Sequence, residues 1–190
     1  IMQLNLGRDN LSDETKLKVK ELTKGLATIE EKSRVLYQFL QNKTRYVSIQ
    51  LGIGGFRPFD AKIVDEVGYG DCKALSNYMV ALLKEAGVYS NYTLIRAGRN
   101  MPPIEQTFPS TQFNHVIVSV PNGADTLWLE CTSQLNSFNY LGSFTGNRPA
   151  LVISEKGAKI VDTPKDEGEN LVMRKLKVEI GENGYGTIDA

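Results

Sequence analysis

Sulfur and imidazole are scarce in this sequence of 190 residues, which contains two cysteines and one histidine. Two cysteines are too few for a disulfide-stapled fold or a structural zinc site, so a hydrophobic core must hold the chain and no metal is expected. Charge of one sign is missing as well. The 22 Lys and Arg residues balance 22 Asp and Glu, so no basic face for nucleic acid or an acidic membrane is implied. No apolar run approaches the roughly 18 residues of a membrane span, so direct membrane insertion is not expected. The opening Ile1-Met2-Gln3-Leu4 lacks the charged and apolar zones of a signal peptide. With Ile before Met at one end and Asp189-Ala190 following a half-built hairpin at the other, the sequence reads as a segment of a longer protein.

What is present centres on Tyr69-Gly70-Asp71-Cys72-Lys73-Ala74-Leu75-Ser76. Asp71 is a strong N-cap residue, and the run from Cys72 to Ala86 contains no Gly or Pro, with apolar residues at Leu75, Met79, Leu82 and Ala86. Gly87 then ends the predicted helix. Cys72 therefore falls in the first helical turn, where unpaired N–H groups and the macrodipole favour a negative sulfur. This is the setting of a nucleophile, although free cysteines also serve as small buried hydrophobes. An oxidising compartment would allow Cys72 to pair with Cys131, which would consume that thiol.

Upstream, Ser12-Asp13-Glu14 opens a mostly polar surface helix, and Thr28 with Glu31 forms a capping-box pattern before a second helix. Val35, Leu36, Phe39 and Leu40 give that second helix a buried face. Tyr46 to Leu51 alternates like a strand and leads into Gly52-Ile53-Gly54-Gly55-Phe56-Arg57-Pro58. No Gly-Lys-Ser/Thr follows these glycines and their spacing makes no dinucleotide fingerprint, so the stretch reads as a tight loop beside the Cys72 helix, and no cofactor is expected. Ala61 to Val67 supplies one or two helical turns. Tyr92 to Arg96 reads as a strand, and Gly98 to Pro109, with three prolines, reads as a flap over a groove.

Phe113 to Val120 and Thr126 to Cys131 are β-rich and flank Pro121-Asn122-Gly123-Ala124-Asp125, with Asn-Gly as the hairpin signal. A two-residue Asn122-Gly123 loop sets Pro121 against Ala124 and carries the ladder back until His115 faces Glu130. The carboxylate would then orient the imidazole. A three-residue loop would place Cys131 opposite His115 instead. Cys72, His115 and Glu130 are together the parts of a thiol acyl-transfer site.

Gly70-Asp71-Cys72-Lys73 with Leu82 to Gly87, then Phe113-Asn114-His115-Val116-Ile117, then Trp128-Leu129-Glu130-Cys131-Thr132, resembles the transglutaminase-like superfamily. The resemblance runs from about Glu30 to Val161 and includes the Gly54 to Pro58 loop. It is strongest to bacterial domains flanked by β-rich domains in exported proteins of Bacteroides relatives. It implies an α+β fold with a papain-like core, in which N-terminal helices and a central Cys-bearing helix pack on an antiparallel sheet. It also implies Cys72 as nucleophile, His115 as base and acid, and Glu130 as third member, where the superfamily usually carries Asp. Cysteine stands where proline often follows that acid, and Ala74 where many relatives carry an acid.

The function expected is thiol-dependent acyl transfer on a peptide or other amide substrate. Hydrolysis by a peptidase or amidase is favoured over cross-linking by an acyltransferase. The alternative is a catalytically silent module that binds peptide or glycan within a larger exported protein. The oxyanion would meet the Cys72 N–H and a second donor, for which Tyr46 and Gln50 are candidates. Phe138, Tyr140, Phe144 and Thr145 belong to a loop expected to cover one end of the groove. Residues 1–164 are expected to form the domain, with a helical lead-in at 1–43 and the core at 44–164. Residues 165–190 would be a charged linker and the truncated start of a β-domain, and the resemblance places the protein in the periplasm or on the cell surface.

Overall fold

The computed structural model describes residues 1–49, 51–108, 110–165, 177–181 and 184–189. Its organising element is helix α5, Cys72–Glu85, preceded by α1 (Met2–Asn5), α2 (Asp13–Leu22), α3 (Ile29–Lys43) and α4 (Ala61–Val67). The Asp71 carboxylate accepts the Ala74 N–H at 3.0 Å and starts α5. At the other end Gly87 takes a φ of 72°, and the Val88 N–H returns to the Leu83 carbonyl at 2.8 Å. These contacts satisfy carbonyls that the helix end would leave open.

Every residue from Cys72 to Met79 is buried, so α5 is enclosed by other elements rather than lying amphipathically at the surface. Its apolar side chains join Leu36, Tyr37 and Leu40 of α3, Val19 of α2 and Val64 of α4 in one core. The same core takes in the inward residues of strands β4 (His115–Asn122) and β5 (Asp125–Leu129). The polar residues of the helix act as attachment points. Ser76 donates to the Val116 carbonyl at 3.2 Å, and Asn77 donates to the Arg8 carbonyl at 2.8 Å.

With β3 (Asn91–Ile95), β6 (Pro149–Ser154) and β7 (Gly157–Asp162), strands β4 and β5 form one antiparallel sheet in the order β5-β4-β3-β6-β7. A short helix α6, Gly142–Thr145, lies between β5 and β6 in the chain. The expected α+β class, with helices against an antiparallel sheet, is the observed one. Among the described residues, no helix is long and apolar enough to cross a membrane.

Three expectations need correction or trimming. The strand read over Tyr46 to Leu51 shrinks to β1, Arg45–Tyr46, which pairs in parallel with β2, Tyr69–Gly70. Its partner is only two residues long, held between the left-handed Gly68 and the Asp71 cap, so the ladder cannot extend. Gly70 is required in that pair, because a Cβ there would stand 2.8 Å from the Ala74 Cβ.

The β4–β5 turn is Gly123-Ala124 rather than Asn122-Gly123, since Asn122 pairs with Asp125. Gly123, at a φ of 67°, occupies the first central position, where a primed hairpin turn needs positive φ. The strand hairpin predicted from Leu171 falls partly outside the described residues. What is described is β8 (Lys177–Ile180) against β9 (Gly186–Asp189), a separate two-stranded sheet.

The helical layer is tied together at Asp65 of α4. Its carboxylate accepts Thr15 Oγ1 of α2 at 2.6 Å, the Tyr78 hydroxyl of α5, and Lys43 Nζ of α3 at 2.7 Å. Burial alone would raise the Asp65 pKa, and these donors outweigh it and hold the carboxyl below its ordinary value. The carboxylate therefore remains charged at neutral pH. Asp65→Ala strands the fully buried Tyr78 hydroxyl and should cost about 2–4 kcal/mol in urea unfolding at pH 7. Unchanged stability would contradict this reading of the helical layer.

Candidate active site

His115 is the first residue of β4, and Ser76 anchors the second turn of α5 on the neighbouring Val116. This anchor brings the first residue of α5 near the imidazole: Cys72 lines the same cleft as His115 and is among the groups that raise its pKa. On its other side the ring meets Glu130 through Nε2, at 2.9 Å to Oε2 and 3.1 Å to Oε1. With Nε2 engaged, Nδ1 is the nitrogen left for the thiol. All three candidate residues are buried, and the structure brings them together in the expected order.

The route to that contact differs from the expected one. Extending the observed register past its last pair, Val118 with Leu129, puts Glu130 opposite Ile117 and diagonal to His115. The offset from the expected ladder is two residues, and an even offset keeps both side chains on one sheet face. Diagonal neighbours stand about 7–8 Å apart, within reach of a long side chain. The extra methylene of Glu over the usual Asp therefore supplies the reach that the register demands. Placing Cys131 opposite His115 would require an odd offset, which this pairing excludes.

A buried carboxylate also needs donors of its own. Thr132 donates its hydroxyl at 2.6 Å and its N–H at 3.2 Å to Glu130 Oε1, and Thr145 Oγ1 lies 3.4 Å from Oε2. Tyr37 fixes the backbone by donating to the Glu130 carbonyl at 2.8 Å. Burial would raise the Glu130 pKa, but hydrogen bonding and charge from His115, with help from Thr132, bring it below its ordinary value. Burial works against the imidazolium too. Hydrogen bonding with Cys72 and Glu130 as acceptors, together with the Glu130 charge, reverses that effect, and the His115 pKa is raised to about 9.

Neither Thr132 nor Tyr37 was singled out from sequence, although Thr132 lies within the Trp128 to Thr132 motif, and Thr145 was expected to cover the groove rather than to meet Glu130. A hydroxyl two residues after the acid was the available signal. Phe144, from the loop expected to cover the groove, stacks edge-on against His115 with ring centroids 5.3 Å apart. Phe138 of the same loop packs instead against Tyr37, on the helical side.

Both cysteines are free, so the disulfide alternative is not realised. Cys131 is fully buried, and burial pushes its thiol pKa far up, which leaves it inert. Cys72 and His115 line a cleft of about 480 Å³. Gly55 and Phe56 of the glycine loop form part of its wall, as expected. The expected flap, Gly98 to Pro109, does not contribute among its described residues: Ser110 and Thr111, just beyond it, reach the cleft, while Met101 to Ile104 line a different hollow beside Arg148. Arg148 donates there to the Arg96 and Gly98 carbonyls at 2.9 and 2.7 Å, fixing the base of that loop. Tyr46 does not line the cleft, and Gln50 lies outside the described residues. Among the described residues no group of three or more His, Cys, Asp and Glu side chains could hold a metal.

No protein-family model and no curated protein matches this chain. Two solved structures share its fold. A candidate protease from Parabacteroides distasonis superposes with a TM-score of 0.63 at 17% identity, over 85% of this chain and 30% of that one. A candidate cysteine protease from Cytophaga hutchinsonii gives 0.51 at 14% identity, over 82% of this chain and 50% of that one. This chain therefore spans half or less of either neighbour's length. At such identities the likeness carries the fold alone.

The raised His115 pKa has a sign that stability must follow. The folded state holds this proton more tightly than the unfolded chain, so the contribution is complete below about pH 6.5 and is lost as pH rises through about 9. Unfolding free energy should fall across that window by an amount on the order of 3 kcal/mol. Because His115 is the sole histidine, His115→Ala should remove that dependence. A profile equally steep in the variant would refute the pairing.

Proposed function

We propose that this chain is a transglutaminase-like domain that catalyses thiol-dependent acyl transfer on amide bonds, with water as the acceptor. The observation that carries the reading is the His115–Glu130 hydrogen bond with Cys72, the first residue of a helix, beside the same imidazole at the wall of a cleft. In this reading the Cys72 thiolate attacks the amide carbonyl. The resulting oxyanion meets the Cys72 N–H, one of the helix-start donors that have no intrahelical acceptor. His115 gives its proton to the nitrogen as the C–N bond breaks, releasing an amine and leaving a thioester on Cys72. His115 then takes a proton from water as the water attacks the thioester, which releases a carboxylic acid and restores the thiolate–imidazolium pair.

Glu130 stays charged throughout, fixing the ring and stabilising its protonated form. Hydrolysis is favoured over cross-linking by the charge of the cleft wall. Among the described residues it carries Lys73 and His115 and no Asp or Glu, so it would repel the ammonium form of an amine acceptor. By the same resemblance we propose that residues 1–164 work outside the cytoplasm, next to β-rich domains of the same protein. The isolated β8–β9 pair would belong to the start of one such domain.

The test is iodoacetamide labelling at pH 6.5, read by peptide mass spectrometry, alongside turnover of unstructured peptide amides. Cys72 should be labelled and Cys131 should not. His115→Ala should slow both labelling and turnover on the order of 10²–10⁴-fold. Equal labelling rates in the wild type and His115→Ala would remove the catalytic reading.

A further inference from the structure

Among the described residues the cleft wall carries Lys73 and His115 but no Asp or Glu, although the net charge of the whole chain is zero. Its two basic members each have an acidic partner, Asp71 for Lys73 and Glu130 for His115. Neither acid lines the cleft. Both pairs are buried, and in each the basic residue lines the cleft while its acidic partner does not. Lys73 itself is only 8% exposed, and Asp71 is the one acceptor it meets among the described residues.

An ammonium has three donors, and one that is nearly dehydrated gains most from an acceptor brought by a ligand. The rest of the wall is largely apolar, with Phe56, Tyr92, Leu94, Phe113 and Leu151 among its residues. Such low-dielectric surroundings lengthen the reach of the two cations, and the N-terminus of α5 adds to the same field.

We propose that the cleft selects amide substrates carrying a carboxylate close to the scissile bond, and that the Lys73 ammonium is the group that binds it. This rests on the acyl-transfer reading for its purpose but not for its test. Asp71 is then a positioning residue: it caps the helix through the Ala74 N–H and holds the Lys73 side chain against the wall. The carboxylate enters from an acidic side chain or from a chain terminus, since Lys73 recognises the same group in either.

The experiment is calorimetric binding to the full chain carrying Cys72→Ala, so that no turnover is needed. Four short apolar peptides are compared, with Glu or Gln at the centre and with a free or amidated C-terminus. A peptide bearing the recognised carboxylate should bind at least about tenfold more tightly than its amide twin, and the pair that shows the difference identifies the source. Added Lys73→Arg should keep that preference, whereas added Lys73→Gln should abolish it, with melting curves confirming that both variants are folded.

Twins that bind alike with Lys73 intact would overturn the proposal, as would a preference that survives Lys73→Gln or the absence of binding by all four peptides. The first of these outcomes needs no Lys73 variant to fold. Carboxylate-selective binding in a protein whose Cys72 shows no His115-dependent labelling would sink the acyl-transfer reading and leave this one standing.

Discussion

A carboxylate removed from water has to be surrounded by donors, and the arrangement around Glu130 follows from that constraint. Its oxygens meet the His115 ring, the Thr132 hydroxyl and N–H, and the Thr145 hydroxyl, while Tyr37 pins its carbonyl. These partners come from β4, the segment after β5, helix α6 and helix α3, so assembling this one ionic site requires the sheet, the helical layer and the loop to be in place together. An imidazole held this way presents a fixed nitrogen to whatever stands on its other side. The first residue of α5 stands there because Ser76 is anchored to Val116.

The same logic separates the two cysteines. Cys131 follows Glu130 directly but points into the apolar core with the Leu129 carbonyl as its hydrogen-bond partner, and burial keeps it protonated. Cys72 has the imidazole and the cleft. Adjacent chemistry thus diverges just past the end of β5, where Glu130 meets His115 and the next residue, Cys131, joins the core.

Much of this was legible in the sequence because local rules agree with one another there. Asp71, the unbroken run to Ala86 and Gly87 delimit α5, and Thr28 with Glu31 forms the capping box as read. The pairing of His115 with Glu130 was legible for a subtler reason. The turn was placed one residue early, but an error of two in the ladder preserves the face, so the contact survived a wrong register. The strand after Tyr46 was not legible, because what limits it is the length of a partner elsewhere in the chain. Nor were the donors to Glu130: Thr132 and Thr145 look like ordinary loop residues until the fold brings both against one carboxylate. Lys73 reads as a polar helix residue, and only the enclosure of α5 by other elements turns it into a buried cation on a cleft wall.

The central claim is that His115 is held protonated between a buried carboxylate and the Cys72 sulfur. Because it is the sole histidine, its ring signals can be followed through a pH titration by NMR without assignment ambiguity. The midpoint should lie near 9 in the wild type and should move down in both Cys72→Ala and Glu130→Gln, since each removes one of the partners that raise it. A midpoint near the ordinary 6.5 in all three proteins would contradict the account.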